Sequence, residues 1–377
     1  MTPAVRGPGA LAPMDTRARA TGLRALLGDA GCEALLVTRL PNVRYLTGFT
    51  GSAGMLLVSP SELVLVTDGR YQTQSREQLD ASGVEARVEV VPAGAQTSTV
   101  GRLVAPFARV GLEAHGVTWA QQRVWADAFA GSTLVPTEGL VETLRRVKEP
   151  GEVERIRAAC AIADDALAAM LPALADAPTE QAFALALDVA MRERGASGNS
   201  FDTIVASGPN GAMPHARPGG RRIEHGELVV IDFGCVVDGY CSDMTRTVSV
   251  GDPGPDARRL WDVVRASQQA GRDAVAAGVA CADVDRASRD VIEAAGWGAA
   301  FSHGTGHGVG LEIHEAPRVA KAAGGTLDAG VVVTVEPGVY LPGVGGVRLE
   351  DTVVVTESGA DALTSFPKQL SIETAPA

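Results

Sequence analysis

The first third of the chain alternates between two hydrophobic periods. Apolar residues recur at helical spacing over Thr16–Ala30, and three short apolar runs follow: Ala34-Leu35-Leu36-Val37, Gly54–Val58 and Leu63–Val66. Runs of strand length broken by Pro41-Asn42 and Ser59-Pro60-Ser61 predict strands with short connections, so this segment reads as an α/β domain. The pattern ends near Arg145-Arg146, and Pro150 then stands at the head of a new helix. Beyond it, Val153, Ile156, Ala159, Cys160, Ile162, Ala163, Leu167 and Met170 keep the helical period. Further helices are predicted over Gln181–Glu193 and Leu260–Ala277, with β-rich hairpins over 227–250 and 331–356. Long helices with antiparallel hairpins in one segment predict an α+β domain.

The first hairpin carries the most information. Leu228–Phe233 reads as a buried strand, Asp238-Gly239 as a two-residue turn and Tyr240–Val250 as the return strand. With that turn Val237 opposes Tyr240 and Asp232 opposes Thr245, so Asp243 lies diagonally across from Asp232 on the same face. Two carboxylates that close repel and raise each other's pKa, and a bound cation relieves them. The alternative reading, a half-exposed Asp232 and a turn-capping Asp243, sits poorly with aspartate inside an apolar strand. The second hairpin repeats the device. Val331–Val335 leads into Glu336-Pro337-Gly338, and Gly346–Asp351 returns with Glu350 among apolar neighbours. A surface pair between Arg348 and a glutamate is the competing reading here.

Three of the six histidines, His303, His307 and His314, fall in one glycine-rich stretch. Gly304, Gly306, Gly308 and Gly310 rule out a helical zinc motif, and no dinucleotide fingerprint registers. The stretch is predicted to be a loop whose backbone approaches a site closely. Four carboxylates and an imidazole form a hard donor set that fits Mn²⁺ best, with Co²⁺, Fe²⁺ and Zn²⁺ compatible. Four acids are too many for one divalent ion and suit two ions sharing ligands.

Composition narrows the picture. The 33 basic against 45 acidic residues, net −12, speak against nucleic acid or an anionic membrane as partner. Five cysteines without a CxxC pair argue against a disulfide framework and for a reducing compartment. No run reaches membrane-spanning length, and residues 1–13 lack a signal-peptide core and read as a flexible tail, so the expected location is the cytoplasm.

The order Asp232, Asp243-Met244-Thr245-Arg246-Thr247, His307, Glu336-Pro337-Gly338, Glu350-Asp351 resembles the Xaa-Pro peptidases, prolidase and aminopeptidase P, within the creatinase and methionine-aminopeptidase superfamily. Asn42–Gly54 and Thr67–Tyr71 resemble the creatinase-like N-terminal domain of the short bacterial members. The resemblance implies three parts: a tail over 1–13, an α/β creatinase-like domain over 14–145, and a pita-bread catalytic domain over 146–377. It also implies a homodimer acting on proline-containing peptides. Asp232 and Asp243 would hold one metal and His307 and Glu336 the second, with Asp243 and Glu350 bridging. The metals would acidify a shared water and polarise the scissile carbonyl. Glu336 would relay the proton, His314 would stabilise the tetrahedral intermediate, and His215 and His303 would face the substrate. Arg348 would stand behind the ligands. The chain's short length and the Phe49–Ser52 region point the expectation to an Xaa-Pro aminopeptidase, with an Xaa-Pro dipeptidase as the alternative. A creatinase-type amidinohydrolase or a non-catalytic peptide-binding module are remoter alternatives.

Overall fold

The computed structural model describes residues 11–372, which form two compact units, 13–145 and the remainder. The tail expected over residues 1–13 lies outside the described residues as far as residue 10. Its last part is held: the Ala12 N–H donates to Glu154 at 2.9 Å, and Arg155 donates to the Ala12 carbonyl at 2.8 Å.

The first unit contains strands β1 (Ala34–Val37), β2 (Gly54–Val58), β3 (Leu63–Thr67), β4 (Arg87–Val90), β5 (Arg109–Glu113) and β6 (Thr133–Thr137). They form one sheet in the order β4-β3-β2-β1-β5-β6, with β2 antiparallel to both neighbours and the other pairings parallel. Helices α1 (Arg17–Leu27), α2 (Leu40–Thr47), α3 (Gln72–Ser82), α4 (Gln96–Val104), α5 (Trp119–Ala128) and α6 (Leu140–Arg146) accompany it. Pro41-Asn42, read above as the break after a strand, opens α2 instead. Proline is tolerated in a helix's first turn, where its missing N–H costs no hydrogen bond.

The second unit is built on helices α7 (Pro150–Met170), α8 (Glu180–Glu193), α9 (Gly254–Asp273) and α10 (Cys281–Ala294). Pro150–Asp176 is long and apolar enough, by length and composition alone, to cross a membrane. Here Ile156, Ala159, Ala163 and Leu167 of α7 are buried, the last three in a core shared with Phe183 and Leu187 of α8. The strands begin with β7 (Gly198–Asn199), β8 (Ile204–Ser207), β9 (Leu228–Phe233), β10 (Cys235–Val237), β11 (Tyr240–Cys241) and β12 (Met244–Val250). They continue with β13 (Gly306–Gly308), β14 (Glu315–Val319), β15 (Val332–Val335), β16 (Gly338–Leu341), β17 (Gly345–Arg348), β18 (Asp351–Thr356), β19 (Gly359–Ala362) and β20 (Ser371–Ile372).

Two long antiparallel hairpins dominate this unit. In the first, Val237 pairs with Tyr240 and Asp232 with Thr245, the register read from the turn. Asp238 and Gly239 both have positive φ, 44° and 78°, as a tight turn of the primed type needs. In the second, Val335 pairs with Asp351 and Gly338 with Arg348, so Glu336 falls opposite Glu350. Period two decides which face each residue takes. Val229, Ile231 and Phe233 enter the α7–α8 core, and Val333 and Val335 enter a core with Val284 of α10. Asp232 and Glu336, between and beyond them, face the other way.

The histidine stretch corrects one expectation. His307 lies on β13, a strand hydrogen-bonded to β14 and β15, not in a loop. The glycines are required by crowding from neighbouring strands. A Cβ on Gly306 would stand 2.0 Å from the Thr334 carbonyl oxygen, and one on Gly308 2.4 Å from that of Ala316. Gly306→Ala is therefore expected to cost roughly 2–4 kcal/mol of stability, while Gly359→Ala, with nothing near its Cβ, should be neutral. Chemical denaturation of both variants checks this.

Candidate metal centre

The two hairpins are stitched to each other along one edge. The Glu350 N–H donates to the Thr245 carbonyl at 3.1 Å, and the Thr352 hydroxyl donates to the Asp243 carbonyl at 2.8 Å. This brings their acidic faces together. One carboxylate oxygen each from Asp232, Asp243 and Glu350 lie within 4.8 Å of one another. His307 joins from β13, its Nε2 3.5 Å from Asp243 Oδ2 and 3.3 Å from Glu336 Oε1. All five line a cleft of about 470 Å³, together with His215, His303, His314, Arg318 and Arg348.

Each part of this cluster is arranged to accept a cation. Asp232 gives one oxygen to the guanidinium of Arg348, and Glu350 gives one to the Thr245 hydroxyl at 2.7 Å. Their other oxygens, Asp232 Oδ1 and Glu350 Oε1, are buried with no hydrogen-bond partner among the described residues. A buried orphan oxygen is costly unless something positive meets it. His307 Nδ1 lies 3.0 Å from the Gly308 carbonyl, an acceptor only, so the proton sits on Nδ1 and the Nε2 lone pair faces the acids. Burial lowers the His307 pKa to about 4, which keeps that lone pair available at neutral pH. The donors are hard oxygens and one imidazole, the set that divalent ions take.

The electrostatics point the same way. Burial, then the charges of Glu350, Asp232 and Glu336, hold Asp243 well above the usual carboxylate range. Burial and then Glu336 and Asp232 do the same to Glu350. Burial pushes Glu336 up to about 8 against the partial relief of Arg348.

The remaining histidines are placed differently from one another. His314 stands on the solvent side, its ring edge-on to His307 with centroids 4.4 Å apart, and burial followed by Arg318 lowers its pKa. His215 is exposed at the cleft, on the segment between β8 and β9. His303 lines the cleft, but both its ring nitrogens are engaged: Nδ1 with the Gly304 carbonyl at 2.7 Å and Nε2 with the Tyr340 hydroxyl at 2.8 Å. The Gly304 carbonyl only accepts, so Nδ1 carries the proton and Nε2 accepts from the Tyr340 hydroxyl, whose oxygen accepts from Arg348 at 2.8 Å. The chain His303–Tyr340–Arg348–Asp232 thereby joins the His303 tautomer to the metal cluster. The surface ion pair weighed for Arg348 is absent among the described residues, and its carboxylate partner is Asp232.

Sequence reasoning missed Thr245, Tyr340 and Arg318. Period two carries Glu336 and Gly338 on to Tyr340, a signal that was there to use. Arg318 follows the histidines by a few residues on β14, and nothing in the strand pattern singles it out.

Comparisons with known proteins agree with the geometry. Residues 154–357 match metallopeptidase family M24, and residues 19–147 match the creatinase/prolidase N-terminal domain. An Xaa-Pro dipeptidase from Bacillus anthracis is 36% identical and superposes with a TM-score of 0.90 over 94% of this chain and 99% of that one. An X-Pro aminopeptidase from Thermotoga maritima is 33% identical, with a TM-score of 0.86 over 93% and 99%. The Xaa-Pro dipeptidase of Pyrococcus furiosus is 41% identical over 233 residues, 62% of this chain and 67% of that one.

The raised carboxylates carry a testable consequence. In chelated protein, folded Glu336 keeps its proton up to about pH 8, while the unfolded chain loses it above an ordinary value of 4.5. The folded state then binds more protons, so its stability falls as pH rises through that window. The melting temperature of chelated protein is expected to drop by roughly 5 °C or more between pH 5.5 and 8.5. Adding Mn²⁺ should abolish the drop and release protons, which calorimetry in buffers of different ionisation enthalpy measures.

Proposed function

The chain belongs to metallopeptidase family M24 and is a metal-dependent peptidase of α+β pita-bread architecture, and from that premise we propose that it hydrolyses the Xaa-Pro bond of dipeptides, as an Xaa-Pro dipeptidase. Two divalent ions, best Mn²⁺, would be held by Asp232, Asp243, His307, Glu336 and Glu350, and when bound they supply charge that polarises the scissile carbonyl and acidifies water. Asp243 and Glu350, central in the cluster, are the natural shared ligands. Glu336 stands at the cleft with an elevated pKa, suited to take a proton from the attacking water and return it to the leaving nitrogen. His314, a neutral imidazole at the solvent side, donates a hydrogen bond to the oxyanion as it forms. His215, which lines the same cleft, would face the substrate, and His303 acts through Tyr340 by holding the wall itself.

Proline specificity follows from the bond. The X–Pro amide has no N–H, so a site that relies on a polarised carbonyl loses nothing by accepting it.

The observation that carries the dipeptide reading is Arg318. It lines the cleft, is exposed, and its charge is felt by His307, His314 and Glu336, while its side chain makes no hydrogen bond or ion pair among the described residues. A cation there suits the free carboxylate that a dipeptide presents one residue beyond the scissile bond. The names of similar proteins also lean to dipeptidase. The aminopeptidase reading is the second choice, favoured by the Thermotoga maritima structure. Its other support weakens because Phe49 is 1% exposed and packs edge-on against Tyr71, a core role. All five cysteines are free and buried, in keeping with the reducing cytoplasm proposed for it, where it would act as a homodimer like the family it resembles.

With Mn²⁺, kcat/KM is expected to be higher for Leu-Pro than for Leu-Pro-Gly; the reverse order would favour the aminopeptidase. Arg318→Met should raise KM for Leu-Pro about 10–100-fold and leave hydrolysis of the amide Leu-Pro-NH2 almost unchanged.

A further inference from the structure

The segment between β8 and β9 brings His215 to the cleft, and what holds that segment is a buried acid outside it. Glu180, in the first turn of α8, is 0% exposed. Its Oε1 accepts from the Ser207 N–H and hydroxyl, both at 2.8 Å, and from Asn210 Nδ2 at 3.1 Å. Its Oε2 accepts from Asn210 Nδ2 at 3.1 Å and from the Gly219 N–H at 3.2 Å. The donors come from both sides of His215. The backbone of the same helix turn repeats the grip: the Glu180 and Gln181 N–H groups donate to the carbonyls of Arg221 and Gly219, each at 3.0 Å. Between these anchors, the Pro214 carbonyl accepts from Arg348 at 3.1 Å.

We infer that Glu180 is a positioning residue that fastens both legs of the 208–222 segment through Ser207, Asn210 and Gly219, and so fixes where His215 stands over the metal cluster. The inference rests on the reading of His215 as a substrate-side residue. A carboxylate is the right group for the task because it only accepts, and every group that meets its two oxygens donates. Arg221 donates to the Ser207 hydroxyl at 2.7 Å and pairs with Glu227, which orients that hydroxyl's proton toward Glu180. A glutamine of the same size would set its own NH2 against an N–H. Pinning both legs removes most of the conformations open to residues 211–218, and small misplacements near a reacting bond cost large factors in rate.

Glu180→Gln, His215→Ala, the double variant and Asn210→Ala, all full-length and Mn²⁺-loaded, provide the test. Two readouts are taken: amide hydrogen exchange across residues 211–217, and kcat and KM on Leu-Pro. Glu180→Gln is expected to speed amide exchange across residues 211–217 and to lower kcat/KM about tenfold or more with metal content unchanged. In the His215→Ala background it should add less than about twofold. A wild-type exchange rate, or losses that multiply in the double variant, overturns the inference. Should Glu180→Gln fail to fold, Asn210→Ala must show the same pattern in smaller degree, and wild-type behaviour in both readouts overturns it equally. If His215→Ala alone turns over like wild type, the reading of His215 is what fails, and the catalytic half of the inference falls with it, while the exchange rate still judges the tether.

Discussion

Four carboxylates in one cleft repel each other, and in this protein strand register keeps them there. Asp232 and Asp243 are diagonal on one hairpin, Glu336 and Glu350 opposite on the other, and neither pair can part without sliding a strand. A one-residue slip would turn every apolar side chain on that strand outward and drive the acids into the core. Ile231, Phe233, Val333 and Val335, all fully buried, each hold the register with about 1.5–3 kcal/mol. Burial, and the repulsion added to it, are therefore held as the raised pKa values of Asp243, Glu336 and Glu350 instead of being relieved by movement, and a cation is the partner that relieves them.

The face a residue takes decides its electrostatics. Glu350 and Asp351 are chain neighbours, both 1% exposed, yet they are shifted in opposite directions. Glu350 looks into the acidic cleft and is pushed up. Asp351 looks away; burial alone would raise it, but Arg246 and Lys368, with Arg272 behind them, hold it low. Arg246 also donates to the carbonyls of Thr245 and Glu350, so the paired back face ties down the two strands that carry the front face. On the front, Arg348 and Thr245 each take one oxygen of a carboxylate and leave the other toward the cluster. Removing one partner of such a buried pair leaves an uncompensated charge, which is why these contacts act as a set.

The parts of the site legible in the sequence were those governed by local rules. Asp238-Gly239 fixes a turn, the turn fixes the register, and the register places Asp232 against Thr245 and near Asp243. The glutamates followed from the same alternation. Long-range crowding was not legible: the glycines around His307 look like a loop because glycine is permissive, whereas they are there because neighbouring strands leave no room for a Cβ. Pro41-Asn42 looked like a break for a similar reason, since proline ends one element as readily as it opens another. Glu180 and Tyr340 matter through partners far along the chain, from Ser207 to Gly219 in one case and from His303 to Arg348 in the other. No periodicity records such partners.

The convergence of these five side chains on a pair of ions is tested most directly by anomalous scattering from Mn²⁺-soaked crystals. Two peaks are expected, both within coordination distance of the carboxylates of Asp243 and Glu350, one nearer Asp232 and the other nearer His307 and Glu336. No peak in the cleft, or manganese bound only elsewhere on the chain, would contradict the account.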